Sequence, residues 1–156
     1  CSSALVSVEK PALYVLDNAP NCSADRINER SEAFFRVIRD AHPDVPVVIV
    51  EHPLYPTMRL NNYAREDITA RNNAQKAFYE KLRKAGEKRI YYVSADKLLD
   101  EMKEGTVDGN HFTDLGVTYY VNAILPTIKK ALKASPYPMF RSTSVGFSGS
   151  FSYSPQ

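Results

Sequence analysis

The sequence predicts one α/β domain, a three-layer α/β/α sandwich in which helices cover both faces of a parallel sheet. Segments typical of strands and helices alternate along the chain, which is the pattern of this class. The clearest strand, residues 45–50, is apolar at successive positions, and such runs are typical of parallel strands buried on both faces. The length of 156 residues suits one domain with a sizeable core.

The first half of the chain supplies one strand and one helix before that central strand. Residues 11–17 are predicted to be a strand, because a short apolar run there ends in a polar residue. A helix is expected over about 24–41, with Ser23 or Asp25 near its cap. Apolar side chains at helical spacing mark its expected buried stripe: Ile27, Phe34, Val37, Ile38 and Ala41. The prolines that follow end this helix.

A second helix and a third strand follow the central strand. The helix is expected over about 65–84, and Gly86 is its predicted C-terminal stop. Residues 89–93 form the third predicted strand, because they are again a short apolar and aromatic run. A short helix over 95–102 is then expected to lead into the next loop.

The last long helix is predicted over 114–132, with Thr113 as its cap. Pro126 is expected to kink or interrupt it, because proline has no N–H to donate within a helix. After this helix the composition changes: residues 135–156 are rich in Ser, Pro, Tyr and Phe and have no helical period. The α/β domain is therefore assigned to 1–134 and the remainder is treated as a tail.

Composition and charge exclude several classes of protein. A hydrophobic content of 44% is ordinary for a soluble globular protein, and a net charge of +2 is too small to indicate a nucleic-acid partner. Neither a membrane-spanning run nor a signal peptide is expected. The two cysteines do not have zinc-binding spacing. Cys1 is compatible with the acylated start of a bacterial lipoprotein, although an arbitrary boundary is favoured; a periplasmic or secreted location is favoured over a cytoplasmic one.

An aspartate and a histidine lie three residues apart just before the last helix. Asp108 and His111 are the residue types that activate a serine nucleophile: the histidine takes the proton, and the aspartate fixes its tautomer. Polar residues at 18–21 and 51–53 directly follow predicted strands. Because the carboxyl ends of parallel strands share one edge, these loops and the histidine loop are expected at the same rim. His42 and His52 have no acidic partner nearby in sequence and are expected to be surface or loop histidines.

Three segments make the chain similar to a known family. Residues 106–116 resemble the block that holds the catalytic Asp and His in SGNH (GDSL-type) hydrolases, particularly a bacterial branch of them. Residues 13–21 resemble the family's asparagine block, and 145–150 resemble its glycine block. The resemblance implies a flavodoxin-like α/β fold and a serine hydrolase that needs no cofactor and no metal.

The resemblance also implies a role for each matching residue. His111 would be the general base and then the acid, and Asp108 would orient it. The side-chain amide of Asn21 and the backbone N–H of Gly149 would donate to the oxyanion. Read alone, Asn21 also fits a turn and Gly149 a flexible glycine of the tail. The family usually has a proline after the histidine, where this chain has Phe112, which is expected to alter loop stiffness more than chemistry.

The nucleophile is not assigned. The family's first block, of the type Gly-Asp/Thr-Ser, is not found in this sequence. Ser148 does not fit a nucleophile elbow, because position 150 is serine rather than glycine. Ser142 and Ser144 are no better candidates.

The order of the blocks also departs from the family. The glycine block lies in the tail, whereas in the family it precedes the asparagine block. Reading the tail directly into residue 1 restores the family order, which leads to the hypothesis of a circularly rearranged SGNH sequence. In this hypothesis residues 142–147 form a strand near residues 13–17, and 148–150 form a tight turn.

The expected activity is hydrolysis of a carboxylic ester through an acyl-enzyme, with acetyl or other short acyl esters of carbohydrates as substrates. The alternative is a non-catalytic domain of the same lineage that lacks its serine and acts as a binding module. A metal-dependent phosphoesterase using Asp17, Asp108 and His111 is disfavoured, because the acids are too few for a two-metal site. The oligomeric state is left open.

Overall fold

The centre of the molecule is a three-stranded parallel sheet. In the computed structural model, which describes residues 2–99 and 104–137, the strands are β1 (Tyr14–Leu16), β2 (Val47–Val50) and β3 (Ile90–Val93). Their order is β1-β2-β3, and both pairings are parallel. All four residues of β2 are buried, as expected for a strand covered on both faces.

Helices cover both faces of this sheet. They are α1 (Ser2–Val6), α2 (Ala24–Ala41), α3 (Asn62–Lys84) and α4 (Asp114–Leu132). Side chains of α2 and α3 form one cluster with one face of the sheet: Phe35, Ile38 and Phe78 with Tyr14, Val47, Ile49 and Ile90. Side chains of α4 pack on the other face: Tyr120, Ala123, Ile124 and Ala131 with Val48, Val50 and Val93. The predicted α/β/α class is therefore confirmed.

The predicted helix caps are present. Ser23 accepts the backbone N–H of Arg26 at the start of α2, and Thr113 accepts that of Gly116 at the start of α4. Helix α3 begins three residues earlier than predicted, because Asn61 caps it. Strand β1 is shorter than the predicted 11–17, and α1 was not predicted.

The buried face of α2 differs from the predicted stripe. Phe35 is buried and Phe34 is only partly so, while Val37 and Ala41 are exposed. The reason is the neighbouring helix: the ring of Phe35 packs edge-on against Phe78 of α3, with ring centroids 6.1 Å apart. This contact turns the buried face toward α3.

The predicted short helix over 95–102 is wrong within the described residues. Only a 3₁₀ turn, Ala95–Lys97, forms, and residues 100–103 lie outside the described part. The next two side chains are fully buried in different clusters, Leu98 beneath α4 and Leu99 beside Tyr55. The backbone is no longer helical at Leu98, and this lets Leu98 and Leu99 point in different directions.

Pro126 does not interrupt α4, which runs unbroken from Asp114 to Leu132. Both Pro126 and Asn122, whose carbonyl loses its helical partner, are exposed, so water can satisfy that oxygen. Packing of the apolar face onto the sheet holds both halves of the helix.

Among the described residues, no helix is long and apolar enough to span a membrane. The strand predicted at 142–147 lies outside the described residues.

Two glycines bring the loop before α4 against that helix. A Cβ at Gly116 would lie 1.9 Å from the carbonyl oxygen of Gly105, and a Cβ at Gly105 would lie 2.7 Å from Leu99 Cδ1. The backbone N–H of Thr113 donates to the Gly105 carbonyl at 3.0 Å. Glycines permit this close approach, because a side chain at either position would collide with its neighbour. The contact fixes where the Asp108–His111 loop lies relative to the start of α4.

We predict that Gly116→Ala destabilises the fold by about 1–3 kcal/mol, because the new methyl group meets a backbone atom that cannot rotate away. Urea denaturation measures this loss. The control is Asn122→Ala, an exposed position on the same helix, which is expected to change the free energy of unfolding by less than about 0.5 kcal/mol. Equal stability of the two variants would contradict the role given to this contact.

Candidate active site

Three loops meet at the carboxyl ends of the strands. Asp17, just after β1, accepts a hydrogen bond of 2.5 Å from the hydroxyl of Tyr120 on α4. Tyr55, in the loop after β2, packs its ring against Phe112 at 6.0 Å between centroids. Burial raises the pKa of Tyr55, and the charges of Asp17 and Asp108 raise it further, so both carboxylates lie within electrostatic reach of this ring.

Asp108 and His111 form a hydrogen-bonded pair at this rim. Asp108 Oδ2 lies 2.8 Å from His111 Nδ1, and Oδ1 accepts the backbone N–H groups of His111 (2.8 Å) and Asn110 (3.0 Å). The His111 side chain is 77% exposed. When Nδ1–H donates to the carboxylate, Nε2 is left unprotonated and accessible, which is the tautomer that a general base requires.

Local hydrogen bonds explain the acidity of Asp108. The backbone N–H of His111 lowers the pKa of this carboxyl most, followed by the His111 side chain and the backbone N–H of Asn110. All three favour the charged form. Asp108 therefore stays ionised beside the imidazole at neutral pH.

The backbone of this loop is tightly constrained. Val107 donates its N–H to the carbonyl of His111 at 2.8 Å. Gly109 has a φ of +86°, and a Cβ there would lie 2.4 Å from Thr57 Cγ2. The Thr57 hydroxyl also donates to the Gly109 carbonyl at 3.3 Å, so the loop after β2 is attached to the histidine loop.

A row of four packed rings contacts the Asp108–His111 loop through Phe112. His52 packs against Tyr55, Tyr55 against Phe112, and Phe112 against Tyr120, with centroid separations of 5.0, 6.0 and 5.5 Å. Phe112 lies between Tyr55 and Tyr120 in this row, and its packing holds the loop. The row links the loop after β2 to α4.

The expectation that His52 is a surface or loop histidine is wrong in one respect, since it lies in a loop but is 5% exposed. Its Nδ1 lies 2.7 Å from the Pro53 carbonyl, and burial lowers the pKa of the ring. Its backbone is bonded to Asn72 of α3. His52 therefore has a structural position under the rim, whereas His42 is partly exposed at the end of α2.

Asn21 is the last residue of a 3₁₀ turn, Ala19–Asn21, that follows β1 at the same rim. The residue is exposed, and its backbone N–H donates to the Asn18 carbonyl at 3.0 Å. Arg71 of α3 donates to two carbonyls of the turn. Gly149 and the tail serines lie outside the described residues.

The contacts that Glu51 and Tyr120 make at the rim were not predicted from the sequence. Glu51, directly after β2, is 8% exposed; it accepts the hydroxyl of Tyr92 and, at 2.6 Å, the backbone N–H of Ala95. Tyr120 was assigned only to packing, but it also bonds Asp17. The one available signal was position, because Glu51 and Asp17 each directly follow a strand. In the described part of the chain, no group of three or more His, Cys, Asp or Glu side chains is arranged to hold a metal ion.

Comparison with known proteins identifies the family. The family model of the GDSL-like lipases/acylhydrolases matches residues 2–129. The chain therefore belongs to the GDSL-like lipase/acylhydrolase family, as the segments 13–21 and 106–116 indicated. A comparison with curated proteins gives no match.

Two solved structures resemble the fold. A candidate GDSL-like lipase from Bacteroides ovatus ATCC 8483 is 33% identical with a TM-score of 0.79, over 85% of this chain and 39% of its own. The salicylyl-acyltransferase SsfX3 of a tetracycline biosynthetic pathway is 16% identical with a TM-score of 0.64, over 81% of this chain and 39% of its own. The second likeness concerns the fold alone. This chain spans 39% of the length of either protein.

We predict that the Asp108 carboxyl titrates well below the usual range for aspartate. Its pKa is lowered in the folded state, so its contribution to stability is fully present above about pH 4 and is lost as the pH falls through the folded-state pKa. In His111→Ala the pKa should rise but stay below the ordinary value, because both backbone donors remain. Carbon-13 NMR of the carboxyl against pH measures this.

Asn110→Ala is the matched control, because Asn110 contributes only its backbone N–H. Its Asp108 should titrate as in the unmodified chain. An Asp108 pKa that His111→Ala leaves unchanged would contradict the hydrogen bond between the two side chains.

Proposed function

We propose that this chain is a serine-type carboxylic ester hydrolase. The observation that supports the proposal is the exposed Asp108–His111 pair at the rim, with a separation of 2.8 Å and an accessible Nε2. His111 takes the proton of a serine hydroxyl as it attacks the ester carbonyl and returns that proton to the leaving alcohol. Asp108 keeps the tautomer and stabilises the imidazolium.

The oxyanion is stabilised by donors from two segments. The side-chain amide of Asn21 is one, and the backbone N–H of Gly149 is the other, as the family resemblance implies. The position of Asn21 at the carboxyl end of β1 supports the first assignment. Donors held in place before the charge develops are effective because they need no reorganisation.

The proposed substrates are acetyl or other short acyl esters of carbohydrates, with water accepting the acyl group. The reaction uses no metal and no cofactor. A second candidate, a binding module of the same lineage without a nucleophile, is favoured by one observation: the family's serine block is not found in the sequence.

Fluorophosphonate labelling followed by mass spectrometry tests the proposal. One serine should be labelled, and His111→Ala should abolish the labelling and lower turnover of p-nitrophenyl acetate by about a hundredfold or more. His42→Ala is the matched control, since its ring lies at the end of α2, 3.3 Å from the Val6 carbonyl. It should label like the unmodified chain.

The other outcomes separate the alternatives. A folded chain with neither labelling nor turnover overturns the hydrolase proposal in favour of the binding module. A labelled serine that does not depend on His111 overturns the role of the histidine. Loss of turnover on chelation favours the metal-dependent reaction instead.

We also propose that the tail belongs to the same domain, with residues 142–147 as a strand along the open edge of β1. Among the described residues, β1 pairs only with β2, and Val15 is 41% exposed. Tyr137, the last described residue, packs against the cluster that contains Tyr14 and Phe35.

Amide exchange of Val15 tests the placement of the tail. Tyr14 donates its N–H to Pro46 beside β2, so by alternation the Val15 N–H points toward the open edge. We predict that deleting residues 138–156 accelerates exchange of the Val15 amide at least about tenfold. The Leu16 amide points toward β2 and is the internal control. Equal Val15 rates in the two chains would contradict the placement.

A further inference from the structure

Two neighbouring residues of α3 hold two different loops of the rim. Arg71 Nη1 donates to the carbonyls of Ala19 (3.2 Å) and Pro20 (2.9 Å), in the turn after β1. Asn72 Nδ2 donates to the His52 carbonyl at 2.9 Å, and its Oδ1 accepts the His52 N–H at 2.8 Å. One turn of α3 therefore anchors the loops that follow β1 and β2.

The Arg71 side chain is itself held in place. Its Nη2 lies 2.6 Å from Asp67 Oδ2, one helical turn earlier, and the side chain is 20% exposed. Nε is buried and has no hydrogen-bond partner. A buried donor without a partner is unfavourable. The hydrogen bonds of the two Nη atoms therefore hold the side chain in a position that leaves Nε unpaired. Its position instead aligns two successive carbonyls of the turn.

The turn is also held by packing and by its own backbone: Ala19 is fully buried in a cluster with Ile27 and Ala74. The Asn21 N–H donates to the Asn18 carbonyl at 3.0 Å, while the Cys22 N–H reaches the Ala19 carbonyl at only 3.4 Å. Pro20 has no N–H to donate. The two carbonyls bound by Arg71 belong to the residues immediately before Asn21. Packing therefore fixes the start of the turn at Ala19, and the guanidinium holds the two carbonyls that lead into Asn21.

We propose that Arg71 is a positioning residue, which fixes the Ala19–Asn21 turn so that the Asn21 amide is held at the oxyanion position. This inference rests on the function proposed above. An arginine suits the task, because its planar group binds both carbonyls through Nη1 and Asp67 through Nη2 at once, whereas lysine offers a single point charge. A donor displaced by about 1 Å loses a large part of its effect on the rate.

Kinetics of single and double variants test the positioning. Arg71→Ala should lower kcat by about tenfold to a hundredfold and leave KM within about twofold, because the oxyanion develops only in the transition state. The kcat of Arg71→Lys should lie between that of the unmodified chain and that of Arg71→Ala. In an Asn21→Ala background, Arg71→Ala should lower kcat by less than about twofold further, because Arg71 acts through Asn21. Losses that multiply in the double variant would overturn the proposal.

Arg83→Ala is the matched control. Arg83 lies on the same helix and also donates to a carbonyl, that of Glu87 at 3.1 Å, but at the far end. It should leave kcat unchanged. Asp67→Asn is a milder second variant, which removes the ion pair between Asp67 and Arg71 and keeps the arginine. It should lower kcat less than Arg71→Ala; an unchanged kcat in both would overturn the proposal.

Amide exchange separates this inference from the proposed function. Arg71→Ala should accelerate exchange of the Asn21 and Cys22 amides about tenfold and leave that of Gly116, at the cap of α4, unchanged. If the unmodified chain has no turnover, the hydrolase proposal fails, and exchange still decides whether Arg71 fixes the turn. Unchanged exchange at Asn21 and Cys22 would overturn the positioning role.

Discussion

Complete burial of β2 is the constraint on which the rest of the structure depends. Residues Val47–Val50 are covered by α2 and α3 on one face and by α4 on the other. Parallel strands are typically covered on both faces by the helices of their crossover connections, and β1, β2 and β3 run parallel. Parallel strands place their carboxyl ends at one rim, and the contacts of Asp17 with Tyr120 and of Tyr55 with Phe112 join the loops after β1 and β2 to α4 and the Asp108 loop.

The Asp108–His111 pair depends on that rim for its position and on local bonds for its geometry. Both side chains are largely exposed, so burial does not hold them. The backbone N–H groups that Asp108 accepts come from its own loop. The Gly105–Gly116 approach and the packing of Phe112 then fix where that loop lies. The pair is therefore exposed to solvent, while the loop that carries it is held by these contacts.

Family membership and catalytic competence are separate matters for this chain. The matched segment contains Asp108 and His111, and it extends over residues 2–129. The structural match covers 39% of the Bacteroides protein, and the family's nucleophile block is not found in this sequence. The Asp–His pair is therefore stronger evidence of ancestry than of activity.

Much of the fold was predictable because its signals are local. Apolar runs, helical spacing and capping residues located the three strands and the three long helices, and α4 has the predicted bounds. The bounds of β1 and the presence of α1 were not recovered, since short elements carry little signal. The pair of Asp108 and His111 was also predictable, because both residues lie in one short loop.

What the sequence alone determined is therefore the α/β class, most of the helix limits and the pairing of Asp108 with His111. Only the tertiary structure decided that Phe35 and not Phe34 is buried, that His52 lies beneath the rim, and that Leu98 and Leu99 point into different clusters. It also decided that Arg71 reaches a turn 51 residues away. These features depend on which helix lies beside which loop, and residues distant in sequence leave no periodic signal of that contact.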